Sequence, residues 1–395
     1  MCAVVGMACL DEGSSERDSP QADQSYTVAD SAGIPVIWNE ASKGAFAEAW
    51  RLEPVLTIGA AGGPPESELF LVTGGTVLSD GTVVIMNSGT SEIRFFDSNG
   101  RFLRSAGRRG EGPGEINGGR LVGRLPGDSL VVEDVLLRRI SIFGSEGQFV
   151  RSYVLGSEIR TSIAAGVLAD GSLIHLEVPT ERPSESRTGT FRDSVNVRMT
   201  DSSGQLVQTL GTFPGQERVH WVEESRRTGG PVPFGRAFYR AIAGDRFVLA
   251  NSDAYSIQVW DTSGTPLQII RLDRPSLTVG GAFDDSVAAV LRRASSEDRR
   301  LRDKKMFDLV PPPEFAPAFV ALFLTHTGQL WVEDYPEGNG SPRRWQVFGP
   351  DGRVTARAET SVGLEVLEIG EDYLLGLVRD SMGVEQVQLN RLVKR

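Results

Sequence analysis

Ser79-Asp80-Gly81, Val83-Val84-Ile85, Ile93-Arg94-Phe95-Phe96 and Asp97-Ser98-Asn99-Gly100 follow one another within residues 79–100. The order is a Gly/Asp turn, an apolar strand, a second strand and a second Gly/Asp turn. Working outward, the first turn recurs as Pro126-Gly127-Asp128, Ala169-Asp170-Gly171, Gly244-Asp245, Thr327-Gly328 and Gly370-Glu371-Asp372. The second recurs as Ser145-Glu146-Gly147, Asp201-Ser202-Ser203-Gly204, Asp261-Thr262-Ser263-Gly264 and Pro350-Asp351-Gly352. Tight turns favour Asp, which caps the backbone, and Gly, which accepts positive φ. Ile140-Ser141-Ile142-Phe143, Ile257-Gln258-Val259-Trp260 and Trp345-Gln346-Val347-Phe348 repeat the third-strand pattern. Four strands per unit of roughly 40–50 residues is the arithmetic of a β-propeller blade. The expected fold is all-β, a six-bladed β-propeller of four-stranded antiparallel blades with inner strands at 69–78, 120–125, 163–168, 237–243, 318–325 and 362–369.

The sixth unit ends one strand short, after Val384–Leu389. Leu52-Glu53-Pro54-Val55-Leu56-Thr57-Ile58-Gly59 matches the outer strand Arg101-Phe102-Leu103-Arg104-Ser105-Ala106-Gly107 of another unit. Gly62, Pro65 and Asp80 then align with Gly110, Pro113 and Asp128 at one constant offset of 48. The N-terminal strand is therefore expected to complete the C-terminal blade, which removes exposed sheet edges.

Gly107-Arg108-Arg109-Gly110-Glu111-Gly112-Pro113-Gly114-Glu115 resembles the glycine-rich segment between NHL-type repeats. Val131-Val132-Glu133-Asp134 and Arg139-Ile140-Ser141-Ile142-Phe143 resemble the strand pair that follows it. The chain thus resembles a six-bladed NHL-like β-propeller of the bacterial cell envelope over most of residues 50–395, without the eponymous Asn-His. Such propellers include binders, scaffolds and enzymes, so the resemblance implies a fold more than an activity.

The 395 residues carry 41 Lys and Arg against 52 Asp and Glu, which argues against a nucleic-acid partner. No apolar run reaches the roughly 18 residues of a transmembrane helix. The only cysteines are Cys2 and Cys9, so the body has no disulfide, CxxC or cysteine-ligated zinc. Residues 1–8 are uncharged and largely apolar and end in small residues before Cys9. This resembles the tail of a lipoprotein signal, with Gly6 where that family usually has Leu and no basic segment ahead of it. The expected organisation is a partial lipoprotein-type leader at 1–9 with Cys9 lipidated, a disordered acidic linker at 10–33 and a propeller at 34–395. Five of the eleven net negative charges fall within 11–33, so the propeller is only mildly acidic. The chain is expected to be a monomer.

In an up-and-down blade the first and third turns share one face of the ring, and the second turn and inter-blade connection share the other. The Asp-Gly turns are all of the first class and short. The long segments 179–193, 336–343, 212–236 and 273–317 all fall in the second class, so one face is plain and the other elaborated. Variable loops on a rigid scaffold carry function, which places a ligand site on the elaborated face near the central opening. Within the largest segment, Asp284 is a candidate helix cap and Val287, Val290, Leu291 and Ala294 follow helical spacing. The helical insertion at about 282–312 reads as a lid, a partner-docking element or a buttress.

Arg108, Arg109, Arg138 and Arg139 are candidates to bind a carboxylate or phosphate, with inter-blade ion pairing to Glu111, Glu115, Glu133 or Asp134 as the alternative. His220 and Trp221, in a long loop, complete the candidate binding set. Trp221, Phe234, Phe238 and Tyr239 would suit a carbohydrate face or blade packing. His175 reads as a strand-packed histidine and His326 lies beside a turn. HExxH, GxSxG and EF-hand series are absent, so no catalytic residue or metal ligand is assigned. No cofactor is expected, with an oxygen-ligated Ca²⁺ the open possibility through Glu365, Glu368 and Glu68. The function expected is a non-enzymatic ligand- or protein-binding, scaffolding propeller. The alternative is a Ca- or Zn-dependent lactonase- or lyase-like propeller enzyme.

Overall fold

The computed structural model describes residues 26–40, 48–60, 62–159, 162–177, 188–223, 226–336 and 340–394. The expected leader at 1–9, Cys9 and the first part of the acidic linker lie outside the described residues. Among the described residues the strands pair into six four-stranded antiparallel units, numbered here in chain order of their first strands. Those first strands are Val72–Val77, Gly119–Arg124, Ser162–Val167, Phe238–Ala243, Phe319–Leu324 and Glu365–Ile369, each within or beside an expected inner stretch. Each lies against the first strand of the next unit, and the sixth lies against the first, so the units close into a β-propeller.

The strand Val83–Asn87 shows why these strands read as continuous apolar runs. Its Val83 and Ile85 pack with Leu375 and Leu377 of unit 6, while Val84 and Met86 pack with Leu130 and Val132 of unit 2. Alternate side chains leave opposite faces of a strand, and both faces here meet a neighbouring unit. The core is thus a set of wedges between units rather than one central cluster.

Closure runs through the N-terminal strand Glu48–Ile58, which pairs antiparallel with Glu385–Val393 as the outer strand of unit 6. Gly59 and Gly107 both have positive φ (107° and 78°), in line with their constant offset. A Cβ on Gly59 would meet the Glu385 carbonyl oxygen at 2.8 Å. Across the closure, Glu368 accepts from Thr76 Oγ1 (2.7 Å), Val77 N (2.9 Å) and Tyr373 OH (2.8 Å). Glu365 pairs with Arg379 at 3.0 Å. Both inner-strand acids therefore serve structural contacts.

One boundary differs from expectation. Tyr26–Ser31, assigned to the linker, is a strand paired with Ile34–Glu40, which in turn runs parallel to Pro266–Asp273 of unit 4. The turn between them uses Ala32 and Gly33 at positive φ, with Asp30 Oδ1 accepting from Gly33 N at 3.1 Å. The acidic composition masked a short hairpin whose β-formers, Tyr26, Thr27 and Val28, pair across it.

Among the described residues, long connections extend units 3 to 5. In unit 3, Gly189–Thr200 and Leu206–Glu223 form an overlong hairpin continued by Arg226–Pro231. Between units 4 and 5 lie helices α1 (Ala282–Arg293) and α2 (Glu297–Asp308). Asp284 sits inside the first turn of α1 rather than capping it, whereas the Ser296 side chain caps α2 by accepting from Arg299 N. Phe283 and Phe307 form a small satellite core with Val219 of unit 3, packed by Phe234 and Tyr335. The insertion therefore spans from the unit 3 extension to unit 5.

Candidate functional site

On the elaborated face, the connection that carries the helices and residues 334–336 and 341–342 of unit 5 enclose a cleft of about 1050 Å³. Leu272 and Arg274 enter it from the end of unit 4, Ala316 and Ala318 from the end of the connection, and Gln346, Arg357 and Glu359 from the strands of unit 5. A polar chain runs along one wall. Arg274 Nη1 pairs with Asp334 Oδ1 at 2.6 Å, Gln346 Nε2 donates to Asp334 Oδ2 at 2.8 Å, and Arg357 Nε donates to Gln346 Oε1 at 3.3 Å. A second Arg274 nitrogen donates to the Ala318 carbonyl, and its guanidinium lies 5.1 Å from the centre of the Tyr255 ring.

Four arginines line the cleft, Arg236, Arg274, Arg344 and Arg357, against the carboxylates Asp253, Asp334 and Glu359. Arg236 pairs with Asp253 at 3.3 Å and Arg344 with Glu359 at 3.7 Å. Burial, together with Arg274 and Arg344 nearby, holds the Arg357 guanidinium below its ordinary value, with Asp334 opposing. Burial raises the Tyr255 hydroxyl well above the usual phenol range and pushes Tyr335 up to about 12. Both phenols stay neutral donors at physiological pH. Tyr335 also stacks on Phe234, with ring centroids 5.3 Å apart, which fixes the wall of the cleft against the unit 3 extension. Such a site combines a positive excess with aromatic walls and suits an anionic or strongly polar ligand.

The residues singled out in the sequence lie elsewhere. Arg108 pairs with Glu115 at 2.7 Å. Arg139 donates to the Glu111 and Glu115 carbonyls at 2.7 and 2.5 Å and pins the glycine-rich segment. Arg138 donates to the Leu155 carbonyl at 3.3 Å, and Arg109 is exposed beside an isolated bridge to Ile116. His220 and Trp221 are not in a loop: both are buried within Leu206–Glu223, and the His220 ring packs edge-on to Phe191 at 4.8 Å. Phe238 pairs with Phe213, and Tyr239 with Phe319, across unit boundaries. His175 is strand-packed as expected, with Nε2 3.0 Å from Thr200 Oγ1. Burial, with help from Arg120, lowers its pKa to about 4.

Sequence reasoning missed two groups. The cleft arginines come from separate connections and strands that only the closed ring brings together. The inner strands also carry Arg120 and Arg240, which a search for inner-strand acids passes over. Among the described residues no three His, Cys, Asp or Glu side chains gather as a metal site, and no helix is long and apolar enough to cross a membrane.

No family model and no curated protein matches the chain. Among solved structures, a DUF4221 family member from Bacteroides vulgatus superposes with a TM-score of 0.51 at 11% identity, covering 88% of this chain and 98% of its own. Virginiamycin B lyase from Staphylococcus aureus gives 0.41 at 10% identity, covering 87% and 100%. Regucalcin, a calcium-binding protein from Agrobacterium tumefaciens, gives 0.41 at 11%, covering 88% and 96%. At these identities only the fold carries over, and the chain has the fold of a β-propeller.

Proposed function

We propose that this chain is a non-enzymatic ligand- or protein-binding scaffold of the bacterial cell envelope, a six-bladed NHL-like propeller that binds through its elaborated face. The observation that carries the reading is the arginine-lined cleft of about 1050 Å³ between units 4 and 5. It sits where long connections converge. The connection that carries the helices contributes to this cleft through Thr278, Phe315 and Ala316 at its roots. The lactonase- or lyase-like alternative would need inner-strand carboxylates free for a metal. Glu365 and Glu368 are instead engaged by Arg379 and by Thr76, Val77 and Tyr373.

The absence of cysteine beyond Cys9 makes a direct test practical. In a Cys2→Ser, Cys9→Ser chain, a single thiol at Ser341 in the cleft or at Ser98 in a plain-face turn takes a thiol-linked photo-crosslinker. Illumination in envelope extract should give a discrete adduct from Ser341 and none from Ser98. Equal labelling from both positions would remove the cleft as the site. The envelope assignment rests on Cys9 as a lipid anchor. Fractionation and palmitate labelling of the full-length gene product, with Cys9→Ser as the control, test it separately.

A further inference from the structure

Two inner strands carry arginines, Arg120 in unit 2 and Arg240 in unit 4, one neutralised and one not. Gly166 of unit 3 lies level with Ile242 of unit 4, since a Cβ on Gly166 would meet the Ile242 Cβ at 2.6 Å. Two residues towards the elaborated face, Arg240 shares the face of Ile242, whereas a bulge between Ala164 and Gly166 turns Ala164 towards unit 2. From the other side, Arg120 of unit 2 donates to the Ala164 carbonyl. Arg120 and Arg240 therefore approach the unit 3 inner strand from its two sides.

Their electrostatic situations differ. Arg120 is paired with buried Glu133 at 2.5 Å, and the other Glu133 oxygen accepts from Ala164 N at 3.0 Å. Arg240 makes no hydrogen bond or ion pair among the described residues. Burial, followed by repulsion from Arg120, lowers its pKa, and no carboxylate offsets either effect. The Arg240 side chain is half-buried, and a guanidinium held there without a counter-charge is left open to an anion from outside. His175, close enough to feel Arg120, is neutral at physiological pH and adds no second free cation.

The surroundings define what the partner looks like. Phe238 and Ile242 flank Arg240 on the same face of its strand, and both are only half-buried. Ile163, next to Ala164 in the adjoining inner strand, is 49% exposed, so the channel is open and apolar at this level. One unpaired guanidinium calls for one negative charge, and its planar fork matches a carboxylate.

We infer that Arg240, assisted by Arg120, forms an anion site in the central channel that takes a monocarboxylate carried on an apolar body. The site is separate from the cleft and does not depend on the cleft being functional.

Calorimetric titration of the full chain with sodium benzoate, against inorganic phosphate and chloride, tests it. Benzoate should bind saturably. R240M should weaken it by about tenfold or more, as expected for loss of a charged hydrogen-bonded pair. R151M, on the outer strand of unit 2, should leave it unchanged. Because R240M removes an unpaired charge, it should also fold and melt a few degrees higher without ligand. Three results would overturn the inference: no saturable benzoate binding, equal binding by R240M, or binding of phosphate in preference to benzoate. A lower melting temperature for R240M would show that Arg240 has a structural partner and would equally dismiss the site.

Discussion

Units 2 and 5 share a short sequence, Val132-Glu133-Asp134 and Val332-Glu333-Asp334, at the end of their second strands, yet use it differently. In unit 2 the next strand begins at Arg139, and Asp134 caps the tight turn, accepting from Leu137 N at 3.0 Å and from Asn117 N at 2.6 Å. In unit 5 the next strand begins only at Arg343. Asp334 instead takes Arg274 and Gln346 and becomes part of the cleft wall. The glutamates diverge as well. Glu133 locks Arg120 at 2.5 Å, whereas Glu333 reaches Arg343 at 3.4 Å and burial raises its pKa. Loop length, not the motif, converts a structural corner into a site.

That contrast has measurable consequences, and the glutamates give the largest. Glu133→Gln strips the counter-charge from Arg120 beside the unpaired Arg240, and should cost about 3 kcal/mol in urea unfolding. Glu333→Gln should cost under about 1 kcal/mol, because burial already favours its neutral form. Equal costs would break the comparison.

The pH dependence tests the neighbourhood of Arg120, through His175 of unit 3. The folded-state pKa of His175, about 4, lies below its ordinary 6.5, so the unfolded chain binds the extra proton between those values. Stability from this residue is complete above about pH 6.5 and falls as pH drops towards 4. Thermal melts of His175→Gln should show a shallower loss across that window. An unchanged slope would mean that the imidazole is solvated.

The aspartates give smaller effects. Asp134→Ala leaves two backbone N–H groups without their cap and should cost about 2 kcal/mol. Asp334→Ala should cost about half as much, because the open cleft lets water reach Arg274 and Gln346. A larger loss at Asp334 would mark the cleft as a closed structural junction.

Much of the ring was legible beforehand because its constraints are local. Asp97 accepts from Asn99 N and Arg101 N at 2.9 Å, and Gly100 has positive φ, so the turn chemistry is written in four adjacent residues. Gly59 and Gly107 reveal the same outer-strand ending at both ends of the chain. The sites were far less legible, since their partners are distant in sequence. Arg274 meets Asp334 only through the helical connection, and Arg120 reaches the Ala164 carbonyl only once neighbouring inner strands lie side by side. Arg139, selected for its charge, proved to be a tie for the glycine-rich segment, because a guanidinium serves carbonyls as readily as a ligand. His220 and Trp221 looked like loop residues until the unit 3 strands extended past the usual blade length.

The central claim is that ligand engages the cleft between units 4 and 5. Amide hydrogen exchange of the full chain, with and without the soluble contents of the cell envelope, tests it most directly. Exchange should slow at 274–278 and 334–346 while the plain-face turns at 79–82 and 97–101 stay unchanged. Protection confined to those turns, with the cleft segments unaffected, would contradict it.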